Sequence, residues 1–389
     1  MTLTSRSATL TAMAQPPRLT AQLQRIPTRY EPIARIGKGG MAEVFLANAI
    51  FETGDSHPVA IKRMLPALSG DPLYESLFED EAKLGMMLRH PNIVRVYDAR
   101  VIGGALLMIM ELVDGTSLKS LLRRSRHGAQ RRLPVGTTLH VMREVARALD
   151  YAHRARGADD KPLGIIHRDV SPHNVLLSRT GAVKLTDFGL AHAHIHRTEK
   201  SKELAGGKTG YLAPEVVVEG GGDHRVDIWA AGVVLWEALT GRRLFKAKDD
   251  VETVRNVTNR PIPRVSEVVR DVPPVVDALV RRMLARNPID RIPDARLLTV
   301  ELAEAIAKVE PAVGSKDVSL LVRVHVASSP AEAVEHPGST LGLLAQELDA
   351  FVAAGGRATV GLGATPLDPD DFGETSPPPD DEVWYKEST

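Results

Sequence analysis

Four short motifs in one fixed order constrain this chain more than its length or composition does. His167-Arg168-Asp169 is followed by Asn174, then by Asp187-Phe188-Gly189, then by Ala213-Pro214-Glu215. Each alone recurs by chance. Together they gather three carboxylates and a carboxamide into one stretch, Ile165 to Glu215. A carboxylate such as Asp169 can orient a hydroxyl and accept its proton. Asp187 and Asn174 are hard oxygen donors of the kind Mg²⁺ takes.

The bulk numbers narrow the field without choosing within it. A length of 389 residues suits one large domain with tails, or two domains. Lys+Arg and Asp+Glu balance at 49 each, so nothing points to nucleic acid or to an acidic lipid surface. The absence of cysteine excludes disulfides, thiolate zinc sites and a cysteine nucleophile, and it fits a reducing compartment. Met1 to Gln24 has no continuous apolar core and does not read as a signal peptide. The richest apolar window, Ile228 to Leu239, falls short of the roughly 20 residues that span a bilayer. The expectation is a soluble, cytoplasmic protein with no membrane partner.

Upstream of the motif series, apolar residues alternate on both sides of a glycine cluster, from Tyr30 to Ala47. This predicts strand, tight turn, strand. Gly37 and Gly39 lack a Cβ and let the backbone approach phosphates closely. Val59-Ala60-Ile61-Lys62 reads as a short strand ending in a cation. Nineteen residues on, Glu81 lies in a segment with helical apolar spacing at Leu77, Leu84 and Leu88. Glu79 falls about 200° around the helix and reads as a solvated charge. Leu106 to Leu112 predicts a buried strand.

With these residues in place, the chain resembles the protein kinase family, of the bacterial serine/threonine (eukaryotic-like, Hanks-type) kind. The resemblance covers residues 30 to 306, roughly 70% of the chain, and rests on the family's known motif set. It implies a two-lobed α+β fold: a small antiparallel-sheet lobe with one main helix, then a larger, mainly helical lobe. Residues 1–29 would be a flexible arm, and 307–389 a C-terminal tail, partly helical and then disordered. The implied activity is transfer of the γ-phosphoryl of ATP to Ser/Thr hydroxyls of proteins, itself included, in signalling.

The same resemblance implies the roles. Asp169 orients or accepts the hydroxyl proton, Lys62 holds the α- and β-phosphates, Glu81 holds Lys62, and Asn174 and Asp187 ligate Mg²⁺. Ile36, Gly37, Lys38, Gly39, Gly40, Met41, Ala42 and Val44 cover the nucleotide. Ala60, Met110 and Leu176 line the adenine pocket, and Glu111 and Val113 offer backbone groups to the base. Asp227 is expected to hold the His167/Arg168 backbone, and Glu215 to pair with Arg291.

Three departures bear on activity. Ala42 stands for the third loop glycine. Ser171 stands where the family's catalytic loop has Lys, and Lys208 stands where its activation segment has Thr. The two residue types are exchanged, so Lys208 is the expected replacement for the missing charge. Gly85 stands where relatives place a packing side chain, which suggests dependence on an activating partner or self-association. The alternative reading is a pseudokinase, or a scaffold that binds nucleotide or partners without efficient catalysis. Tyrosine specificity stays open because the loop Lys is missing.

Other features carry two readings each. Arg123 through Arg132 is a basic loop, either solvated or selective for an acidic partner. His192, His194 and His196 alternate as in a metal site or as along an exposed strand edge. Arg168 is the expected ligand of an activation-segment phosphate, with Thr198, Ser201 and Thr209 as candidate acceptors, Thr209 also having a structural reading. In the tail, Asp317 to Val326 predicts a short helix or strand, and Gly342 to Ala353 an amphipathic helix. From Gly355 onward the composition predicts disorder.

Overall fold

The computed structural model describes residues 27–102, 104–126, 132–157, 159–188, 208–327 and 338–354. The small lobe is a five-stranded antiparallel sheet in the order β1-β2-β3-β5-β4. Its strands are β1 (Arg29–Lys38), β2 (Ala42–Ile50), β3 (Ser56–Met64), β4 (Val96–Ile102) and β5 (Ala105–Glu111). Helix α1 (Pro72–Met87) lies between β3 and β4 in sequence. Asp71 caps it by accepting from Leu73 N at 3.1 Å, and Pro72 takes the first helical position, where no N–H is needed.

Strand alternation gives this sheet two apolar faces. Ala42, Ala60, Met64, Met108 and Met110 face α1 and the cleft, with Tyr74, Phe78 and Ala82 of the helix. Phe45, Ala47, Val59, Ile61, Leu107 and Ile109 face the other way. A sheet apolar on both faces needs a cover on each.

The large lobe begins with β6 (Gly115–Ser117), α2 (Leu118–Ser125) and α3 (Val135–His153). β6 joins β7 (Val175–Ser178) and β8 (Val183–Leu185) in a three-stranded sheet. Helices α4 (Pro214–Glu219), α5 (Arg225–Thr240), α6 (Asp250–Asn259), α7 (Val265–Val268), α8 (Pro274–Met283) and α9 (Ala295–Val309) complete it. α5 is buried along almost its whole length, which explains why Ile228 to Leu239 is so apolar without crossing a membrane. Gly241, in the left-handed region at φ +69°, ends it. No helix among the described residues is long and apolar enough to cross a membrane.

In the C-terminal region, two helices pack on the lobes. α10 (Ser315–Ala327) packs on the large lobe against β6 and β7, with Ser319 Oγ donating to Arg179 O at 2.6 Å. α11 (Gly338–Ala353) packs on the outer face of the small-lobe sheet. Leu344, Leu348 and Phe351, spaced i, i+4, i+7, are all buried there. Asp317 to Val326, expected as helix or strand, is helical, as is Gly342 to Ala353. Their docking on the two lobes was not legible from composition. The disorder expected beyond residue 355, and the arm before residue 27, lie outside the described residues.

Candidate active site

Lys62 sits between two carboxylates contributed by distant parts of the chain. Its Nζ is 2.5 Å from Glu81 Oε1 on α1 and 2.9 Å from Asp187 Oδ1, just after β8. Burial works against the ammonium, yet Asp187 and then Glu81 outweigh it and hold its pKa above the ordinary lysine value. Burial also disfavours charge on Asp187, but Lys62 prevails and the carboxyl is held down to about 2. Glu81 goes the other way: burial is the largest cause, Asp187 adds to it, and the group is pushed up to about 7 despite Lys62. Asp187 adopts φ +62°, in the left-handed region, which aims its side chain back at β3.

Gly85 has a packing reason. A Cβ there would lie 2.4 Å from Val96 Cγ2, so the glycine lets α1 press directly on β4. The expected gap in support for the helix is therefore filled from the sheet.

The catalytic loop is held by one buried carboxylate. Asp227 of α5 accepts from the backbone N–H of His167 and of Arg168, each at 2.8 Å, as expected, and from His153 Nε2 at 2.8 Å. These bonds stabilise Arg168 at φ +60°, a conformation that costs on the order of 1–3 kcal/mol for a non-glycine residue. Among the described residues the Arg168 side chain has no hydrogen-bonding partner. Thr198 and Ser201 lie outside those residues, as do the alternating histidines. Thr209 is buried and donates to Asp250 Oδ1 at 3.1 Å, in line with its structural reading.

Asn174 Nδ2 donates to Asp169 O at 2.9 Å and to Asp169 Oδ2 at 2.8 Å. That leaves the carboxamide oxygen as its open ligand atom. Lys208 Nζ reaches the same Asp169 Oδ2 at 2.5 Å. Ser171 is fully buried, and its hydroxyl has no partner among the described residues. The cation is thus beside the Asp169 carboxylate, and the hydroxyl is buried in the protein.

Met41, Ala42, Val44, Ala60, Met110, Leu112, Val113 and Leu176 belong to one apolar cluster on the cleft side. Ile36 stands apart, 47% exposed on β1. The Val113 backbone N–H and carbonyl have no partner among the described residues, whereas the Glu111 N–H is used by Arg95 O at 2.9 Å. The Glu111 N–H is therefore not free for the hinge role expected of this residue. Its side chain is tied to Lys184 on β8 at 2.8 Å, a brace that no local pattern signals. In the glycine loop, Gly39 N donates to Ala42 O at 2.8 Å and closes the turn with Ala42 in place of the third glycine. A Cβ on Gly40 would meet nothing within 4 Å, and one on Gly39 only Ala42 O at 3.6 Å. The space over the loop is left open for a ligand that the backbone can approach.

These residues fit a nucleotide triphosphate with magnesium. An apolar slot with bare backbone groups suits a flat base, and an open glycine loop and Lys62 suit phosphates. Asp187 and the Asn174 oxygen suit Mg²⁺, which is typically bound by one or two carboxylates together with substrate phosphates. No cluster of three or more His, Asp or Glu among the described residues makes a self-sufficient metal cage.

Glu215 and Arg291 form the expected pair, at 2.7 and 3.1 Å, with the Arg291 side chain wholly buried. It fixes the Ala213-Pro214-Glu215 corner against the segment before α9.

Comparison with known proteins agrees with this arrangement. The protein kinase domain model matches residues 30–302. The chain is 33% identical to tyrosine-protein kinase MasK of Myxococcus xanthus over 299 residues, covering 76% of this chain and 46% of that protein. It is 35% identical to serine/threonine-protein kinase PknL of Mycobacterium tuberculosis over 283 residues, 73% of this chain and 67% of the relative. It is 33% identical to serine/threonine-protein kinase PknE of the same species, over 78% of this chain and 50% of the relative. The matched region thus spans about half the length of MasK and PknE. Lobes, hinge, cation–carboxylate pair and catalytic loop follow one another as that match requires, and the chain belongs to the protein kinase family, in its bacterial serine/threonine, Hanks-type branch.

Proposed function

We propose that this chain is an ATP- and Mg²⁺-dependent protein serine/threonine kinase that phosphorylates proteins, including itself. The observation that carries the reading is Lys62 held between Glu81 and Asp187 across the cleft from Asp169 and Asn174. A scaffold has no need to keep five such groups in register.

The base lies in the slot formed by Val44, Ala60, Met110 and Leu176, with the Glu111 carbonyl and the Val113 backbone at its polar edge. Gly37 to Val44 cover the phosphates, and Lys62 neutralises the α- and β-phosphates. Asn174 and Asp187 hold magnesium, which when bound offsets charge on the transferring group. Asp169 orients the acceptor hydroxyl and takes its proton. The hydroxyl oxygen bonds to the γ-phosphorus as the bond to the β,γ-bridging oxygen breaks, and ADP leaves. Lys208, 2.5 Å from Asp169, supplies from the activation segment the charge that the family's loop Lys would bring.

The test is purified protein with labelled ATP and Mg²⁺, beside Asp169→Asn, followed by phosphoamino-acid analysis. Label on Ser or Thr that vanishes in the variant supports the reading. Binding of Mg·ATP without transfer would favour the scaffold. The MasK name favours a second reading, label on Tyr, which the same analysis separates.

A further inference from the structure

Lys62 and Arg63 are neighbours on β3, and strand alternation sends them to opposite faces of the sheet. Ala60, Lys62 and Met64 face the cleft, while Val59, Ile61 and Arg63 face α11. Arg63 is 3% exposed. Its Nε and Nη2 donate to the two carboxylate oxygens of Glu347, both at 2.6 Å, a planar two-bond fork.

A second set of ionic contacts lies on the same face, nearer the glycine loop. In the β2–β3 register Arg63 stands opposite Glu43, so the two side chains share a face. Glu43, 5% exposed, accepts from Arg35 Nη1 of β1 at 2.6 Å, and Lys38 Nζ is 3.7 Å away. In the β1–β2 register Lys38 pairs with Glu43, and Gly37 with Val44. A row of charges therefore runs Glu347, Arg63, Glu43, Arg35 along the outer face. It underlies the roots of the glycine loop and the backbone that carries Lys62.

The rest of α11 is secured without this row. Leu344, Leu348 and Phe351 bury its apolar stripe, and Arg100 Nη1 donates to Phe351 O at 2.7 Å at the helix C-terminus, where carbonyls lack helical partners. Arg100 also covers the Phe351 ring, with its guanidinium carbon 4.4 Å from the centroid. The helix could stay docked on those contacts alone. Glu347 adds a directional grip at the nucleotide end of β3.

We infer that Glu347 is a positioning residue for nucleotide binding: through Arg63 it holds β3 in the geometry that presents Lys62 to phosphates. The C-terminal helix thereby completes the ATP site from behind. This rests on the kinase reading only for the identity of the ligand.

The test uses the full chain with Glu347→Ala, and with the double change Arg63→Met and Glu347→Met. Replacing a buried ion pair by apolar side chains of similar size commonly preserves stability, so the double variant separates folding from positioning. The readouts are Tm, Mg·ATP affinity by calorimetry, and KM for ATP against KM for an acceptor protein. Glu347→Ala is expected to weaken Mg·ATP binding about tenfold, with the acceptor KM within about twofold. The double variant is expected to recover Tm but not nucleotide affinity. The inference is overturned if Glu347→Ala binds Mg·ATP like wild type, or if affinity follows Tm back to wild type in the double variant. A wild-type chain that binds Mg·ATP but transfers nothing would sink the kinase reading and still decide this one. A wild type that binds no Mg·ATP would remove both.

Discussion

At the scale of single residues, the exchange of Ser171 and Lys208 bears most directly on the proposed activity. Lys208 touches the Asp169 carboxylate, whereas the Ser171 hydroxyl has no hydrogen-bond partner among the described residues. Lys208→Thr should therefore lower kcat by about 10²-fold, the order seen when one preorganised charge-stabilising donor is lost. Ser171→Ala should stay within about twofold, since it removes no bond. Steady-state rates on a common acceptor check both, and an unchanged rate in Lys208→Thr, beside a dead Lys62→Met, would show that the exchange compensates nothing. Glu81 gives a pH signature. A carboxyl raised from 4.5 to about 7 in the fold binds more protons folded than unfolded. Its contribution to stability is full below about 4.5 and lost as pH rises through about 7. In the nucleotide-free state, wild type should lose Tm relative to Glu81→Gln across that window, and parallel Tm curves would contradict the raised value. The paired residues themselves were legible in the sequence, because motif order and the nineteen-residue spacing single out Glu81. The contact between Lys208 and Asp169 was legible only as an exchange of residue types, since 39 positions separate them.

Among the elements, α1 shows how a propensity argument and a packing argument can disagree in sign. Helix propensity alone says Gly85→Ala should stabilise the protein by about 1 kcal/mol. The added methyl would sit 2.4 Å from Val96 Cγ2 on the facing strand. Overpacking of that kind costs about 1–3 kcal/mol, and relief by α1 moving off β4 takes Glu81 with it. The expected outcome is a lower Tm together with weaker Mg·ATP binding. A more stable Gly85→Ala protein would mean that the strand yields instead. The periodicity of α1 was readable in advance, as was the amphipathic stripe of α11. Which surface each stripe covers was not, because a one-dimensional pattern records that a face is apolar and not what lies against it.

On the scale of the whole molecule, the small-lobe sheet and the C-terminal helix cover one another. Without α11, the side chains of Tyr30, Phe45, Phe51, Val59, Ile61, Leu107 and Ile109 would lose their cover on that face. Contiguous apolar patches of this kind drive association. A chain ending at Ala327 should therefore self-associate and melt at a lower temperature, by light scattering and calorimetry. A monomer with unchanged Tm would show that the outer face needs no cover. The sequence by itself determined the family and the lobe order, and it singled out Lys62, Glu81, Asp169, Asn174 and Asp187 as candidates, because phosphoryl transfer requires particular chemical groups and the motifs carry them in order. Only the tertiary structure decided that Gly85 is a contact, that Lys208 reaches Asp169, and that the last helix grips β3 through Glu347 and Arg63. Those contacts join residues far apart in the chain, Arg63 and Glu347 by 284 positions, and nothing local in either segment encodes the partner. Their pairing follows from the packing of two apolar faces that must be removed from water.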